Sequence, residues 1–241
     1  MKRYIVKVLK TGFVTHNVNR LVVNKPHGYP FTPGQATAIS SNQSALRNLS
    51  KPFSIVAVSG SEQFEFFIKN HTGYDGLTER LWKVRAGEEL ILHKPFGSIR
   101  YKGKGVFIAG GTGIVPFMAI FRELEMENQL AGNALLFANR SIADIFLKAE
   151  LEEMLGSNYV NVVETAEDPL MITGFIGSKL LKQYIHADDA YYYICGPDKF
   201  TIIMIRHLLG LGVDRSRIVF DEETIVPPLS YLLLRQAIQF N

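Results

Sequence analysis

The feature that most constrains the fold is a change in hydrophobic rhythm after Gly103-Lys104-Gly105. Before it, short segments of alternating polar and apolar residues recur between turn-forming clusters such as residues 30–35, which is typical of an antiparallel barrel or sandwich. After it, apolar strands alternate with stretches in which apolar residues recur every three or four positions, which indicates a parallel sheet with helices on both faces. The sequence therefore predicts two domains: a β-barrel over residues 1–102 and an α/β domain over residues 103–241.

The pattern also predicts where the individual elements lie. In the first half we expect strands at residues 4–9, 19–23, 54–58, 65–69 and 89–92, with one short helix at 77–84. In the second half we expect a five-stranded parallel sheet from residues 106–109, 134–138, 160–164, 191–195 and 217–220. Its helices are predicted at 115–127, 146–155, 178–184 and 199–211, and a tail, residues 224–241, follows the last strand.

Composition narrows the class of protein. Hydrophobic residues make up 47% of the chain and charged residues 20%, as in ordinary globular proteins. The apolar runs are far shorter than the ~20 residues that span a bilayer, and the first residues lack the apolar stretch of a secretion signal, so we expect no membrane span and a cytoplasmic location. A net charge of +3 gives no reason to expect a nucleic-acid partner.

The residues that commonly bind metals are sparse. Cys195 is the single cysteine, so an intrachain disulfide or a cysteine-ligated cluster within this chain is excluded. The six histidines show no ligand spacing, and no metal site is predicted.

Two loops of the second half contain the residues most indicative of ligand binding. Gly110-Gly111-Thr112-Gly113, followed by Ile114-Val115-Pro116, lies between an apolar strand and a helix, a context in which backbone N–H groups and the helix N-terminus bind a phosphate. The alternative is a tight turn without a ligand. Cys195-Gly196-Pro197 ends a later strand, and because ligands gather at the carboxyl ends of such strands, both loops are expected to face one crevice. The alternative for Cys195 is a small buried apolar residue.

These two loops, in this order, resemble those of the ferredoxin–NADP reductase superfamily, in particular its bacterial flavodoxin and ferredoxin reductases. The resemblance extends to about residue 223. It implies that residues 110–116 hold the pyrophosphate of a nicotinamide coenzyme and that Cys195-Gly196-Pro197 borders the nicotinamide ring. It further implies an FAD-dependent oxidoreductase that passes a hydride from NAD(P)H to FAD, and then electrons to a carrier such as flavodoxin or ferredoxin.

The barrel half adds shorter similarities to the same family. Lys51-Pro52-Phe53-Ser54 is similar to the family's Arg-x-Tyr-Ser segment, which implies that Lys51 meets the FAD phosphates, Phe53 packs on the flavin and Ser54 lies near flavin N5. Phenylalanine lacks the tyrosine hydroxyl, and lysine lacks the bidentate fork of arginine. Gly76-Leu77-Thr78 is similar to the family's phosphate clamp, although Thr78 taken alone is better explained as an ordinary helix cap. Ser54 and Cys195 are the candidate catalytic residues, one on each side of the hydride path.

The predictions of coenzyme preference and of an electron-accepting partner depend on where charged residues lie in the sequence. Arg140 is a candidate contact to ribose or adenine, with a solvated loop residue as the alternative. Residues 163–168 contain three carboxylates and no arginine, which would repel a 2′-phosphate and favours NADH over NADPH, unless Arg140 or Lys179 compensates. Between residues 80 and 104, seven Lys or Arg stand against two Glu, which predicts docking of a small acidic electron carrier or simply a solvated surface.

Other functions remain open on the sequence alone. An alternative is a reductase component that serves an oxygenase or free flavin. Because Lys51 and Phe53 depart from the family pattern, the chain also fits a non-catalytic binding or assembly subunit that keeps the fold.

Overall fold

A computed structural model describes residues 2–70, 76–165, 168, 171–185 and 189–221 of the chain. The predicted tail, residues 224–241, lies outside the described residues. The first half contains six antiparallel strands and one short helix, α1 (Leu77–Trp82). The strands are β1 (Tyr4–Thr15), β2 (Val18–Asn24), β3 (Ala36–Ser41), β4 (Lys51–Ser54), β5 (Gln63–Lys69) and β6 (Glu89–Leu92).

The antiparallel strands close into a barrel. Their order is β4-β3-β6-β1-β2-β5, and the two edges meet through Val56 and Glu65, which exchange backbone hydrogen bonds of 3.0 and 2.9 Å. The predicted antiparallel barrel is confirmed. The strand expected at residues 54–58 was misplaced, because the ladder with β3 ends at Ser54. Ile55 and Val56 are both fully buried, so successive side chains no longer alternate between the interior and the surface. At this point the chain crosses from β3 toward β5.

The second half is a parallel sheet with helices on both faces, as predicted. Its strands are β7 (Gly105–Gly110), β8 (Ala134–Asn139), β9 (Tyr159–Val163), β10 (Ile172–Thr173), β11 (Tyr191–Cys195) and β12 (Ile218–Val219), in the order β10-β9-β8-β7-β11-β12. The sheet has six strands rather than five, because the two residues of β10 pair with the end of β9. A two-residue strand is too short to show a period of two in the sequence.

Among the described residues four helices accompany this sheet, and the predicted positions differ from the observed ones mainly at the ends. They are α2 (Ile114–Met126), α3 (Lys148–Leu155), α4 (Ser178–Leu181) and α5 (Asp198–Gly210). The longest two have 13 residues each. In the part of the chain that the structure describes, no helix has the length and apolar character needed to cross a membrane.

The two halves share part of their hydrophobic core. Four barrel residues pack in the same cluster as the apolar face of α2: Val18, Val56, Phe67 and Ile99. Polar contacts border this core, because Arg122 of α2 donates to Glu65 of β5 at 3.2 Å and also binds Glu150 of α3. The next residue, Glu123, accepts hydrogen bonds from the backbone N–H and the hydroxyl of Ser59. The barrel is therefore fixed to α2, the helix that follows the glycine loop.

Candidate functional site

The glycine loop joins β7 to α2 in one turn. Gly110 ends β7, residues 111–113 form a single 3-10 turn, and α2 begins at Ile114. Gly111 has a positive φ of 54°, and no atom lies within 4 Å of the place where a side chain would begin. A backbone that is open on this side gives a ligand phosphate direct access to the N–H groups ahead of α2. Thr112 is half-buried beside it.

The second loop lies directly against the first. A Cβ on Gly113 would lie 2.1 Å from the carbonyl oxygen of Cys195, and a Cβ on Gly196 would lie 3.2 Å from the Cα of Gly110. The contact arises because β7 and β11 are neighbours in register, with Ala109 opposite Cys195. Pro197 then precedes α5. The structure thus brings together the two loops that the sequence analysis singled out, with no space between them for a side chain.

The thiol of Cys195 is held in its neutral form. Burial, together with the negative charge of Asp221, raises the pKa of this thiol to about 12. Asp221 follows β12 and accepts a hydrogen bond of 3.1 Å from the hydroxyl of Ser98. Sequence reasoning missed Asp221, although an acidic residue directly after the last strand of a parallel sheet lies at the edge where ligands bind.

Ser54 approaches the same junction from the barrel. It is half-buried at the end of β4 and pairs with Ala36 of β3. A Cβ on Gly97 would lie 3.8 Å from the backbone nitrogen of Ala36 and 3.4 Å from a carboxylate oxygen of Asp221. Ser54 is thus linked to the Cys195 loop through a series of neighbours: Ala36 opposite Ser54, Gly97 beside Ala36 and Asp221, and Asp221, whose charge acts on Cys195.

The other barrel candidates lie along β4 and at the start of α1. Lys51 is exposed, and it forms no ion pair with any described residue. Phe53 is half-buried and packs against the barrel core. Gly76 occupies the N-cap of α1 with a φ of 95°, and nothing lies within 4 Å of its missing side chain.

Thr78 is therefore the second residue of α1 rather than its cap, and no side chain caps this helix. Leu77 is buried and anchors the turn in the barrel core. Residues 71–75, which lead into this turn, lie outside the described part of the chain. The open backbone at Gly76 fits a phosphate in the same manner as the one at Gly111.

At the carboxyl end of β8, Arg140 is exposed. The backbone N–H of Glu164 donates to the carbonyl of Asn139 at 3.1 Å, which places the exposed Glu164 next to Arg140. Phe175, which sequence reasoning did not single out, is 80% exposed just beyond β10. Nothing in the local sequence distinguishes it from a core residue, because its exposure depends on β10 lying at the edge of the sheet.

The positive charge between residues 80 and 104 is partly neutralised. Arg80 pairs with Glu88, and Lys83 pairs with Glu79. The other five cations make no ion pair within the described residues: Arg85, Lys94, Arg100, Lys102 and Lys104.

Known proteins are similar to the chain in both sequence and fold. Residues 107–205 match the family model described as the oxidoreductase NAD-binding domain. A component of the Na⁺-translocating NADH-quinone reductase from Klebsiella pneumoniae is 27% identical over 161 residues, which cover 61% of this chain and 40% of that relative. The same component from Haemophilus influenzae is also 27% identical, over 61% of this chain and 39% of the relative. The chain thus spans about two-fifths of the length of these relatives.

Solved structures extend the likeness across both halves. A ferredoxin–NADP⁺ reductase from Neisseria gonorrhoeae, solved with bound FAD and NADP, superposes with a TM-score of 0.80 at 18% identity and covers 91% of this chain and 98% of its own. The FAD/NAD-binding domain of nitric oxide dioxygenase from Vibrio cholerae gives a TM-score of 0.77 at 22% identity, covering 89% and 95%. Residues 107–205 thus match an oxidoreductase NAD-binding domain, and the chain as a whole has the two-sheet fold of these solved structures.

Proposed function

We propose that the chain is an NAD(P)H-dependent flavin oxidoreductase, in which bound FAD accepts a hydride from the nicotinamide and then releases electrons to an acceptor. The observation that carries the proposal is the direct contact between the glycine loop and the Cys195 loop. In this proposal residues 1–102 hold FAD, residues 103–241 hold the nicotinamide coenzyme, and residues 224–241 form a C-terminal tail.

The coenzyme pyrophosphate would bind at Gly110, Gly111, Thr112 and Gly113. Gly111 leaves its backbone open, and α2 directs its N-terminal amides and the positive end of its dipole toward the same place. The Thr112 hydroxyl would add a donor. Gly113 has a different role, because it lets this loop lie against Cys195 and so sets the distance between the phosphates and the reacting ring.

FAD would lie along β4 and the start of α1. Lys51 is exposed and without an ion pair among the described residues, so its ammonium group is available to a phosphate. The open turn of Gly76, Leu77 and Thr78 would receive the rest of the pyrophosphate. Phe53 offers an aromatic face, since it is only half-buried.

Ser54 and Cys195 would border the place where the two rings meet. Cys195 stays a neutral thiol at physiological pH because its pKa is raised to about 12, so it fills space beside the nicotinamide without adding a charge. With Gly196 and Pro197 it forms a wall that orients the ring. Ser54 can donate or accept a hydrogen bond from the opposite side. Hydride transfer depends on distance and orientation rather than on a strong base, which agrees with a site built from small neutral groups.

The proposal includes NADH as the preferred coenzyme. Glu164 is exposed at the end of β9 and lies beside Arg140, where its carboxylate would accept hydrogen bonds from ribose hydroxyls and repel a 2′-phosphate. Phe175, 80% exposed near the same strand ends, provides a face on which adenine can stack. The relatives from Klebsiella pneumoniae and Haemophilus influenzae belong to an NADH-quinone reductase by name, which agrees with this preference.

An electron-accepting partner is also part of the proposal. The five cations between Arg85 and Lys104 that make no ion pair within the described residues support an acidic carrier of the flavodoxin or ferredoxin kind, which such a surface would attract at low salt. Reduction of the carrier should slow as ionic strength rises, and a rate that is independent of salt would exclude this docking. A cytoplasmic location is proposed with it, because a lone cysteine is usual where thiols stay reduced.

The central test is anaerobic stopped-flow mixing of the purified protein with NADH and, separately, with NADPH. The flavin absorption band should bleach, faster with NADH, and heating should release FAD. A colourless protein that takes up no FAD would favour a non-catalytic subunit that keeps the fold. A flavin band that neither coenzyme bleaches would refute the oxidoreductase. Bleaching without transfer to any carrier protein would leave a reductase of free flavin or of an oxygenase.

A further inference from the structure

A buried carboxylate connects the coenzyme half of the chain to the barrel. Asp144 ends the 3-10 turn of residues 142–144 that follows β8, and it is only 8% exposed. Its carboxylate accepts three hydrogen bonds: 2.8 Å from the hydroxyl of Ser141, 3.1 Å from the amide of Asn17 and 3.3 Å from the ammonium group of Lys69. Burial raises the pKa of Asp144, but these hydrogen bonds and the charge of Lys69 lower it further than burial raises it.

The barrel presents its two donors in a fixed orientation. Asn17 lies in the turn between β1 and β2, and the hydroxyl of Thr15 donates to its side-chain oxygen at 3.0 Å. That contact directs the amide nitrogen of Asn17 toward Asp144. Lys69 ends β5 and lies opposite Val18 in the β2–β5 ladder. Lys69 is therefore held by strand pairing, and Asn17 by the tight turn between β1 and β2, where its carbonyl also accepts a backbone hydrogen bond of 2.8 Å from Asn70.

On the other side, Asp144 fixes the segment that crosses the carboxyl end of β8. The hydroxyl of Ser141 binds the carboxylate, and the backbone N–H of Asp144 donates to the carbonyl of Ser141 at 3.1 Å. Just before Ser141, the carbonyls of Asn139 and Arg140 accept backbone hydrogen bonds from Glu164 and Thr165. Residues 139–144 are thus held at one end by β9 and at the other end by the barrel.

We propose that Asp144 is a positioning residue for coenzyme binding, which holds residues 139–144 in the geometry that the adenosine half of the coenzyme requires. The inference rests on the proposed function, in which Arg140 and Glu164 face that half. Asp144 acts through Ser141 and the backbone, and it has no contact with the reacting atoms. Without its charge, Lys69 would remain desolvated and unpaired, and the segment would relax away from the barrel.

The rest of the interface can hold the fold without Asp144. The shared core that includes Val56 and Phe67, the Arg122–Glu65 pair and the Ser59–Glu123 hydrogen bonds all join the two halves elsewhere. Removal of Asp144 should therefore loosen one segment and leave the two sheets packed together. This separates a positioning role from a merely structural one.

The test compares Asp144→Asn with Glu123→Gln, a matched control that weakens another contact between the halves. ADP-ribose is the probe, because it carries the adenosine half and no nicotinamide, and calorimetry measures its binding without any need for turnover. Asp144→Asn should bind ADP-ribose about tenfold more weakly, within the usual range of coupling between sites. The KM for NADH should rise by a similar factor, with kcat within about twofold of wild type. Glu123→Gln should leave ADP-ribose binding unchanged.

Two further variants keep the proposal falsifiable. Asn17→Ala removes one neutral donor and should weaken ADP-ribose binding about threefold even if Asp144→Asn fails to fold. Asp144→Glu retains the charge and should recover part of the lost affinity. Wild-type affinity in both Asp144→Asn and Asn17→Ala, or equal losses in Glu123→Gln, would overturn the inference while leaving the proposed function intact. A wild-type protein that binds no ADP-ribose and shows no flavin reduction would refute both.

Discussion

Replacing Gly113 by alanine tests the contact between the two loops with a single methyl group. The φ of Gly113 is −61°, which alanine adopts freely, so the effect is purely steric. The added Cβ would lie 2.1 Å from the carbonyl oxygen of Cys195 and 2.4 Å from its carbonyl carbon. Since carbon and oxygen normally approach to ~3.3 Å, the two loops must separate by roughly 1 Å. Both obstacles are backbone atoms, so no side-chain rotation relieves the clash.

The expected magnitude follows from that displacement. Overpacking typically costs ~1–3 kcal/mol, and a backbone clash should lie at the upper end. Moving the Cys195 loop by ~1 Å relative to the glycine loop should lower kcat by up to ~10²-fold, because hydride transfer is sensitive to misplacement.

Gly111→Ala is the matched control. It has open space around the new methyl group, and its strain comes only from a positive φ, which costs ~1–2 kcal/mol. Because that methyl group would occupy the space proposed for a phosphate, Gly111→Ala should raise KM more than it lowers kcat. Urea denaturation and steady-state kinetics on both variants make the comparison. A Gly113→Ala enzyme with wild-type kcat and stability would show that the loops need not touch.

Three further substitutions or treatments follow from the same geometry. With the pKa of Cys195 raised to about 12, only ~10⁻⁴ of the thiol is ionised at pH 8. A disulfide reagent should therefore label the native protein about 10³-fold more slowly than the urea-unfolded chain, and similar rates would contradict the raised pKa. Glu164→Gln should shift the NADPH-to-NADH ratio of kcat/KM upward by about fivefold, as expected for one screened charge of ~1 kcal/mol, and an unchanged ratio would remove Glu164 from coenzyme selection. Lys51→Ala should increase the dissociation constant of FAD, measured by fluorescence of flavin in the ultrafiltrate. Lys51→Arg should leave this constant unchanged or lower it, because arginine can make a bidentate contact to phosphate. If both variants retain FAD equally well, the FAD phosphates bind elsewhere.

The local features of the fold were predictable because each depends on residues that are consecutive in the sequence. The glycine loop, the Cys195 loop and the strand–helix alternation each occupy a short window, and their periods distinguish strands from helices. The contact between the loops was expected in outline, since parallel strands present their carboxyl ends at one edge. The list of expected strands missed β3 and the two-residue β10 and misplaced β4, and the cap of α1 is Gly76 rather than Thr78.

The features that sequence reasoning missed depend on contacts between distant residues. Asp144 meets Asn17 across 127 positions, and no periodicity relates them. Asp221 raises the pKa of Cys195 only because β12 lies beside β11 in the sheet. The exposure of Phe175 likewise follows from the strand order. Strand order and side-chain packing are properties of the assembled sheet, and a single sequence does not encode them in a form that spacing alone reveals.

The shared core also determines how the chain folds and how it tolerates being divided. Since Val18, Val56, Phe67 and Ile99 lie in the same apolar cluster as α2, each half on its own would leave part of this cluster uncovered, although each also has a core of its own. A polypeptide cut at residue 102 would expose that cluster on both fragments, and the exposed apolar surface would promote aggregation. The shared cluster should therefore couple the unfolding of the two sheets, and substitutions of its barrel residues should lower the melting temperature of the second half as well.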